Sequence, residues 1–260
     1  MKKAFFILLS IVLTAGCEKE ITLDLQDKSG SIVIEGNITD QSGPYYVRIT
    51  KSVPFTESNK YTPVINAVVT ISDNHGHSEI LTYESNGRYK TSYLASVPGN
   101  TYNLNVSIDG ENYTAQSTMP APVTLNGLIQ DSMSMGGKTT YTILPVYTDP
   151  QLLGNRYLFI LSIEYKNKKT LQVFSDNINN GMENQRSLFP ALEDDDELLP
   201  GNIIHVDMQC VDSDVYTYYS ALVQISGGSV TPSDPPSNIS NGALGYFSAH
   251  TVSSKRLVIK

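Results

Sequence analysis

Apolar residues alternate with polar ones in short runs that recur about every ten residues between positions 31 and 115, and this spacing constrains the fold more than any other feature. Ile32 and Ile34 alternate with polar neighbours, Val47 and Ile49 do the same, and Asp40-Gln41-Ser42-Gly43-Pro44 between them has the composition of a turn. The two runs therefore read as an antiparallel pair. Residues 63–71 form the next strand, stopped by Asp73-Asn74-His75-Gly76, where Asn and Gly tolerate positive φ. Residues 80–83, 87–89, 102–108 and 113–115 continue the series. Strands this short, joined by such turns, predict a β-sandwich over residues 30–119.

Met119-Pro120-Ala121-Pro122 interrupts the pattern with two prolines, neither of which has an N–H to give a sheet ladder, and a second domain is expected over residues 120–260. It opens with residues 125–129 and a flexible stretch over 131–138. The nearly unbroken apolar run Tyr157-Leu158-Phe159-Ile160-Leu161-Ser162-Ile163 predicts a strand covered on both faces, with residues 171–174 as its partner. Residues 175–200, with Glu193-Asp194-Asp195-Asp196-Glu197, read as a polar surface loop. Val206, Met208 and Cys210 share one face of a further strand. Val215, Tyr219, Leu222 and Ile225 then recur at helical spacing, with Asp212 or Ser213 as the cap and Gly227-Gly228 as the stop. The expected fold class is mainly β: an N-terminal Ig-like or transthyretin-like β-sandwich followed by a second β-rich domain carrying one amphipathic helix. Sixteen tyrosines and no tryptophan agree with a chain that favours strands.

The order Pro63-Val64, Ala67, Val69, Ile71, then Gly87-Arg88-Tyr89, then Pro98-Gly99, Tyr102, Leu104 and Val106 resembles the transthyretin-like and carboxypeptidase-regulatory-like sandwiches. The resemblance implies structural roles only: glycines set turns, and the tyrosine and leucine side chains fill the core.

The N-terminus carries a different signal. Lys2 and Lys3 precede an apolar run from about residue 4 to residue 13, which ends in Leu13-Thr14-Ala15-Gly16-Cys17. This is a secretory leader closed by a lipobox, so residues 1–16 read as a signal peptide, Cys17 as the lipidated N-terminus and residues 17–29 as a polar tether. A run of this length is too short to span a bilayer, which takes about 20 residues. Attached acyl chains hold a protein to a membrane stably when there are two or more. The net charge of −8, with no basic run, argues against nucleic acid and against adsorption to anionic lipid, so membrane contact is expected through the N-terminal lipid alone. With Cys17 acylated, Cys210 has no disulfide partner within the chain and reads as a small core residue.

Three segments together, Cys17-Glu18-Lys19-Glu20-Ile21, Val33-Ile34-Glu35-Gly36-Asn37-Ile38-Thr39, and residues 236–247 from Pro236-Ser237-Asn238-Ile239 to Gly245-Tyr246-Phe247, resemble the Bacteroidota lipoproteins called domain of unknown function 4249. The likeness runs from Cys17 to the end of the chain. It implies an outer-membrane location and an accessory role beside a TonB-dependent β-barrel receptor in ligand capture or uptake. The acidic residues after Cys17 resemble the surface-export signal of that phylum, which implies display toward the cell exterior. The competing expectations are a structural or adhesive surface module and a carbohydrate-binding module.

Motifs that would carry chemistry are few. His75-Gly76-His77 falls in a turn and offers two of the four ligands a structural metal site needs. The acidic cluster at 193–197 lacks the spaced pattern of a calcium loop. Gly136-Gly137-Lys138-Thr139 has Ser132 where a phosphate loop needs its first glycine. No Gly-x-Ser-x-Gly elbow is present, no catalytic residue is assigned, and no metal or cofactor is implied. Asp131-Ser132-Met133 resembles the short motif for O-glycosylation of exported proteins in this phylum, which makes Ser132 a candidate modification site. The loop 232–242, rich in Pro and Asn, reads as a seat for the final strand, with a recognition surface as the alternative.

Overall fold

The computed structural model describes residues 30–54, 61–135, 138–166, 169–176, 180–192, 198–227 and 234–260. The protein is mainly β, with several sheets and one α-helix among the described residues. Its strands are β1 (Ile32–Thr39), β2 (Tyr46–Lys51), β3 (Thr62–Pro63), β4 (Val68–Asp73), β5 (Ser78–Ile80), β6 (Thr82–Ser85), β7 (Arg88–Lys90), β8 (Thr101–Ile108), β9 (Glu111–Thr118), β10 (Gly127–Met135), β11 (Lys138–Val146), β12 (Arg156–Ile163), β13 (Lys169–Ser175), β14 (Ile203–Cys210) and β15 (Leu244–Val258). The helix α1 spans Ser213–Ser226.

One nine-stranded sheet runs through the whole molecule in the order β13-β12-β14-β15-β1-β2-β7-β6, with β3 attached to β2. A four-stranded sheet, β5-β4-β8-β9, faces one half of it, and β10 and β11 form a separate hairpin. The expected pair of β1 and β2 forms in the antiparallel sense, with Ile34 opposite Ile49. Alternation along β1 sends Ile34, Gly36 and Ile38 inward, where they meet Val69, Ile71, Tyr102, Leu104 and Val106 of the smaller sheet in the first core.

Two runs that read as single strands are split between sheets. Residues 63–71 divide into β3 on the large sheet and β4 on the small one. Residues 80–83 divide likewise into β5 and β6. Leu81, 5% exposed, fills the corner at the second crossing, while its neighbour Ile80 is 67% exposed. Tyr89 holds the first crossing: its hydroxyl donates to the Val64 carbonyl and accepts from the Ala67 N–H, each at 3.0 Å.

The chain's last strand completes the first core. Residues 244–250 of β15 pair with 33–39 of β1 in parallel, and Ile239, Ala243, Phe247 and Ala249 lie in the core with the N-terminal strands. The sandwich is thus not confined to residues 30–119, because its sheet needs a strand that local pattern cannot assign to it. Where β1 ends, the Asp40 carboxylate accepts the Val252 N–H at 2.9 Å, and β15 continues as the partner of β14. β15 is thus a single strand of 15 residues shared by both halves.

In the second half, Tyr157, Phe159, Leu161 and Ile163 of β12 face a core with Val206, Met208 and Cys210 of β14, while Leu158 points the opposite way toward Val211 and Val215. The expected burial on both faces is observed. Asp212 is the helix cap: its Oδ1 accepts from Asp214 N at 3.1 Å and Val215 N at 2.9 Å, and its Oδ2 accepts from Ser117 Oγ at 2.5 Å. The cap therefore also ties the helix to β9.

Two loop expectations are corrected. Residues 131–135 are strand rather than a flexible stretch, because β10 and β11 pair in register from Gly127 opposite Val146 to Met135 opposite Lys138. The described part of 175–200 is not only a surface loop. Leu188 is fully buried and exchanges two backbone hydrogen bonds with Ile143, at 3.0 and 2.7 Å. The apolar residues Leu188 and Leu198 anchor this otherwise polar segment in the second core.

Gly245 makes the β1–β15 contact sterically possible. It has φ +93°, and a Cβ there would lie 2.1 Å from the Ile34 carbonyl oxygen. Gly36, directly opposite Phe247, leaves room for the Phe247 ring, which a Cβ would meet at 2.7 Å. Gly245→Ala is expected to lower stability by about 2 kcal/mol or more in urea unfolding. A second expectation concerns His250, 3% exposed on β15 with its Nδ1 2.9 Å from Ser248 Oγ. Burial lowers its pKa from 6.5 to about 4, against a smaller upward pull from Asp40. The unfolded chain binds the proton first, so the stability that neutral His250 contributes is present above pH 6.5 and is lost as pH falls toward 4. The loss approaches roughly 3 kcal/mol. Unfolding free energies of the wild type and His250→Gln across pH 4–7 should show a steeper acid decline in the wild type.

Candidate functional site

The inward turn of Ile34, Gly36 and Ile38 leaves Val33, Glu35 and Asn37 on the opposite face of the large sheet, where α1 covers part of the surface. Strand register aligns one residue from each of four neighbouring strands: Tyr246 opposite Glu35, Glu35 opposite Arg48, and Arg48 opposite Arg88. With strands spaced about 4.8 Å apart, the row extends roughly 15 Å across the sheet.

Aromatic rings surround this row. Tyr218 and Tyr219 of α1 lie 5.0 and 5.2 Å from the Tyr246 ring and 5.3 Å from each other. Asn37 Nδ2 donates to the Tyr246 hydroxyl at 3.2 Å. Burial, reinforced by the Tyr246 hydroxyl and the Glu35 carboxylate, pushes the Tyr218 phenol up to about 12; burial and Tyr246 also raise Tyr219. Both rings are neutral hydrogen-bonding groups at ordinary pH. At the other end of the row, the Arg88 guanidinium lies 4.0 Å above the Tyr46 ring and 3.5 Å from Glu84.

Two adjoining hollows open on the row. One, about 330 Å³, is bounded by Val33, Tyr61, Tyr218, Asp234 and Leu244; the other, about 380 Å³, by Asn37, Tyr46, Arg88 and Tyr246. Glu35 and Arg48 line both. Among the described residues, neither the Glu35 carboxylate nor the Arg48 guanidinium has an ion-pair or hydrogen-bond partner, although the two residues are direct cross-strand neighbours. Larger hollows lie between residues 40–45 and 90–96 and on the outer face of the small sheet. The second of these is lined largely by hydroxyl and amide side chains, some already bonded to one another, as in Gln116 to Asn103 at 3.1 Å. Charges without an ion-pair or hydrogen-bond partner among the described residues, flanked by aromatic rings, distinguish the row of Glu35 and Arg48.

The residues singled out from sequence fall elsewhere. Cys17 and the acidic cluster 193–197 lie outside the described residues. Ser132 is exposed on β10, opposite Tyr141 and far along the chain from the row, with its N–H donating to Asp131 Oδ1 at 2.7 Å. His75 and His77 sit in the β4–β5 turn, whose Asp73 accepts both backbone N–H groups at 2.9 Å and pairs with His77 Nδ1 at 2.8 Å. No group of three or more His, Cys, Asp or Glu side chains placed to hold a metal occurs among the described residues. In the described part of the 232–242 loop, Asn238 imitates a strand partner: its amide donates to the Phe247 carbonyl at 2.8 Å and its oxygen accepts the Phe247 N–H at 2.9 Å. Ser240 binds Thr114, so this part of the loop seats β15 against β9.

Sequence reading did not select Glu35, Arg48, Tyr46 or Tyr218 as functional. The available signal was alternation, which assigns Glu35 and Arg48 to the face away from the core. Register then brings them together.

Cys210 is a core residue, 4% exposed, and burial pushes its thiol pKa up. A water-soluble thiol reagent should leave it unmodified in the native protein and titrate it only through the unfolding transition. Rapid modification without denaturant would contradict this placement.

The family model described as "Domain of unknown function (DUF4249)" matches residues 18–256. No curated protein matches the sequence. Among solved structures, a segment of two fibronectin type III domains from chicken tenascin is 11% identical, covers 70% of this chain and 92% of its own, and has a TM-score of 0.24.

Proposed function

We propose that this chain, which belongs to the DUF4249 family, is a non-enzymatic, lipid-anchored protein of the outer membrane that captures a ligand and serves as accessory to a TonB-dependent β-barrel transporter. The observation that carries the reading is the row Tyr246–Glu35–Arg48–Arg88, whose central acid and base have no ion-pair or hydrogen-bond partner among the described residues and lie between two aromatic-lined hollows. Concave surfaces with a few convergent polar groups among aromatic rings are where small ligands bind. Supporting the location, Leu13-Thr14-Ala15-Gly16-Cys17 supplies the lipid attachment site at Cys17. The dozen or so residues between Cys17 and Gly30 can reach at most roughly 40 Å, enough to keep the sandwich close to the bilayer from which it is tethered. The surface-export resemblance after Cys17 supports outward display.

Purification of the intact lipoprotein from its own membranes in mild detergent should bring a β-barrel transporter with it. Protease shaving of intact cells should remove the protein. Cys17→Ser should release it from the membrane fraction and abolish both results. A wild-type protein that purifies without a β-barrel companion, and whose deletion alters cell contact but leaves uptake unchanged, would instead favour a structural or adhesive module.

A further inference from the structure

We infer that the Glu35–Arg48 groove binds an uncharged saccharide; this rests on the ligand-capture reading and specifies its ligand class. Opposite charges directly across two antiparallel strands ordinarily attract each other, and Glu35 and Arg48 are such a pair. Neither makes a hydrogen bond or ion pair with any described residue, and among those residues both keep their hydrogen-bonding capacity at the boundary between the two hollows.

The charge pattern selects the ligand. An anion drawn to Arg48 meets the Glu35 carboxylate beside it. A cation drawn to Glu35 meets Arg48. Arg88 does not shift this balance toward anions, because it is already paired with Glu84 and stacked on Tyr46. An uncharged group carrying adjacent hydroxyls satisfies both side chains at once: the carboxylate accepts from two O–H groups, and the guanidinium fork donates to two hydroxyl oxygens.

The rings supply the second half of the complementarity. Tyr61, 48% exposed, and Tyr218 bound the first hollow, while Tyr246 and the Arg88-covered Tyr46 bound the second. A tyrosine ring offers a flat apolar face at small cost in side-chain entropy. The C–H face of a sugar ring fits such a surface while its edge presents hydroxyls to Glu35 and Arg48. The hollows, about 330 and 380 Å³, each lie at the lower end of the ~300–1,000 Å³ range of small-molecule sites. Together they suit a short oligosaccharide, with the acid and base at the junction between neighbouring rings.

The experiment uses the full lipoprotein in a detergent without a sugar headgroup. It is applied to an array of neutral and acidic oligosaccharides and to a panel of free dipeptides, and the best array hit is then titrated by calorimetry. A neutral oligosaccharide should bind, and Glu35→Gln and Arg48→Gln should each weaken it at least tenfold. Glu35→Gln removes a charge at constant shape and Arg48→Gln removes one while shortening the side chain; both changes are at the sheet surface, and circular dichroism should be unchanged. Tyr61→Ala, on the opposite wall, should weaken the same ligand. Absence of any neutral hit, preference for acidic sugars or dipeptides, or full affinity in both Gln variants would each overturn the inference. β-barrel co-purification, measured on the same preparations, separates the two failures. A retained barrel with no neutral saccharide bound refutes the ligand assignment alone, whereas a bound saccharide with no barrel refutes the transporter role alone.

Discussion

The parallel pairing of β1 with the first half of β15 is the contact on which the rest of the structure depends. It joins residues more than 200 positions apart, and Gly245 and Gly36 make the approach sterically possible. Only because β15 leaves β1 at His250 and continues beside β14 do the two cores share one sheet. Asp40 supports that transition by accepting the Val252 N–H, and Asn238 supports the strand's entry through its two bonds to Phe247. A local disturbance at this junction is therefore felt by both cores.

The same pairing creates the groove. Glu35 lies between Tyr246 and Arg48 because β1 has β15 on one side and β2 on the other. α1 reaches the groove because it follows β14, the next strand along the sheet, and its cap Asp212 is fastened to Ser117 of the smaller sheet. Ser117 Oγ in turn accepts the Ala249 N–H at 2.8 Å. Helix, small sheet and β15 are thereby joined by one hydroxyl, which leaves the tyrosines of α1 facing Tyr246. The geometry at the surface is inherited from buried bonds beneath it.

Much of this was legible from local pattern. The alternation of Ile32 and Ile34, of Val47 and Ile49, and of Val206, Met208 and Cys210 placed each strand and its buried face. Asp212 and the spacing from Val215 onward located the helix. The errors share a cause. Residues 63–71 and 80–83 read as single strands because crossing between sheets does not interrupt the alternation of side chains. Residues 131–135 looked flexible because a hairpin held by its backbone ladder needs little apolar sequence. The polar stretch around Leu188 looked like surface because a single buried anchor is easily lost among polar neighbours.

The residues alone specified the mainly β class, the existence and type of most elements and the face each strand buries. These are local properties, written in a period of two or 3.6 residues or in a short contiguous motif. The tertiary structure decided which strands are neighbours, that β15 serves both cores, and that Glu35, Arg48 and the tyrosines of α1 meet at one groove. Those relations join positions far apart in the chain. They follow from which sheet edges and apolar faces cover one another, and the periodicity of an individual strand carries no record of its partner.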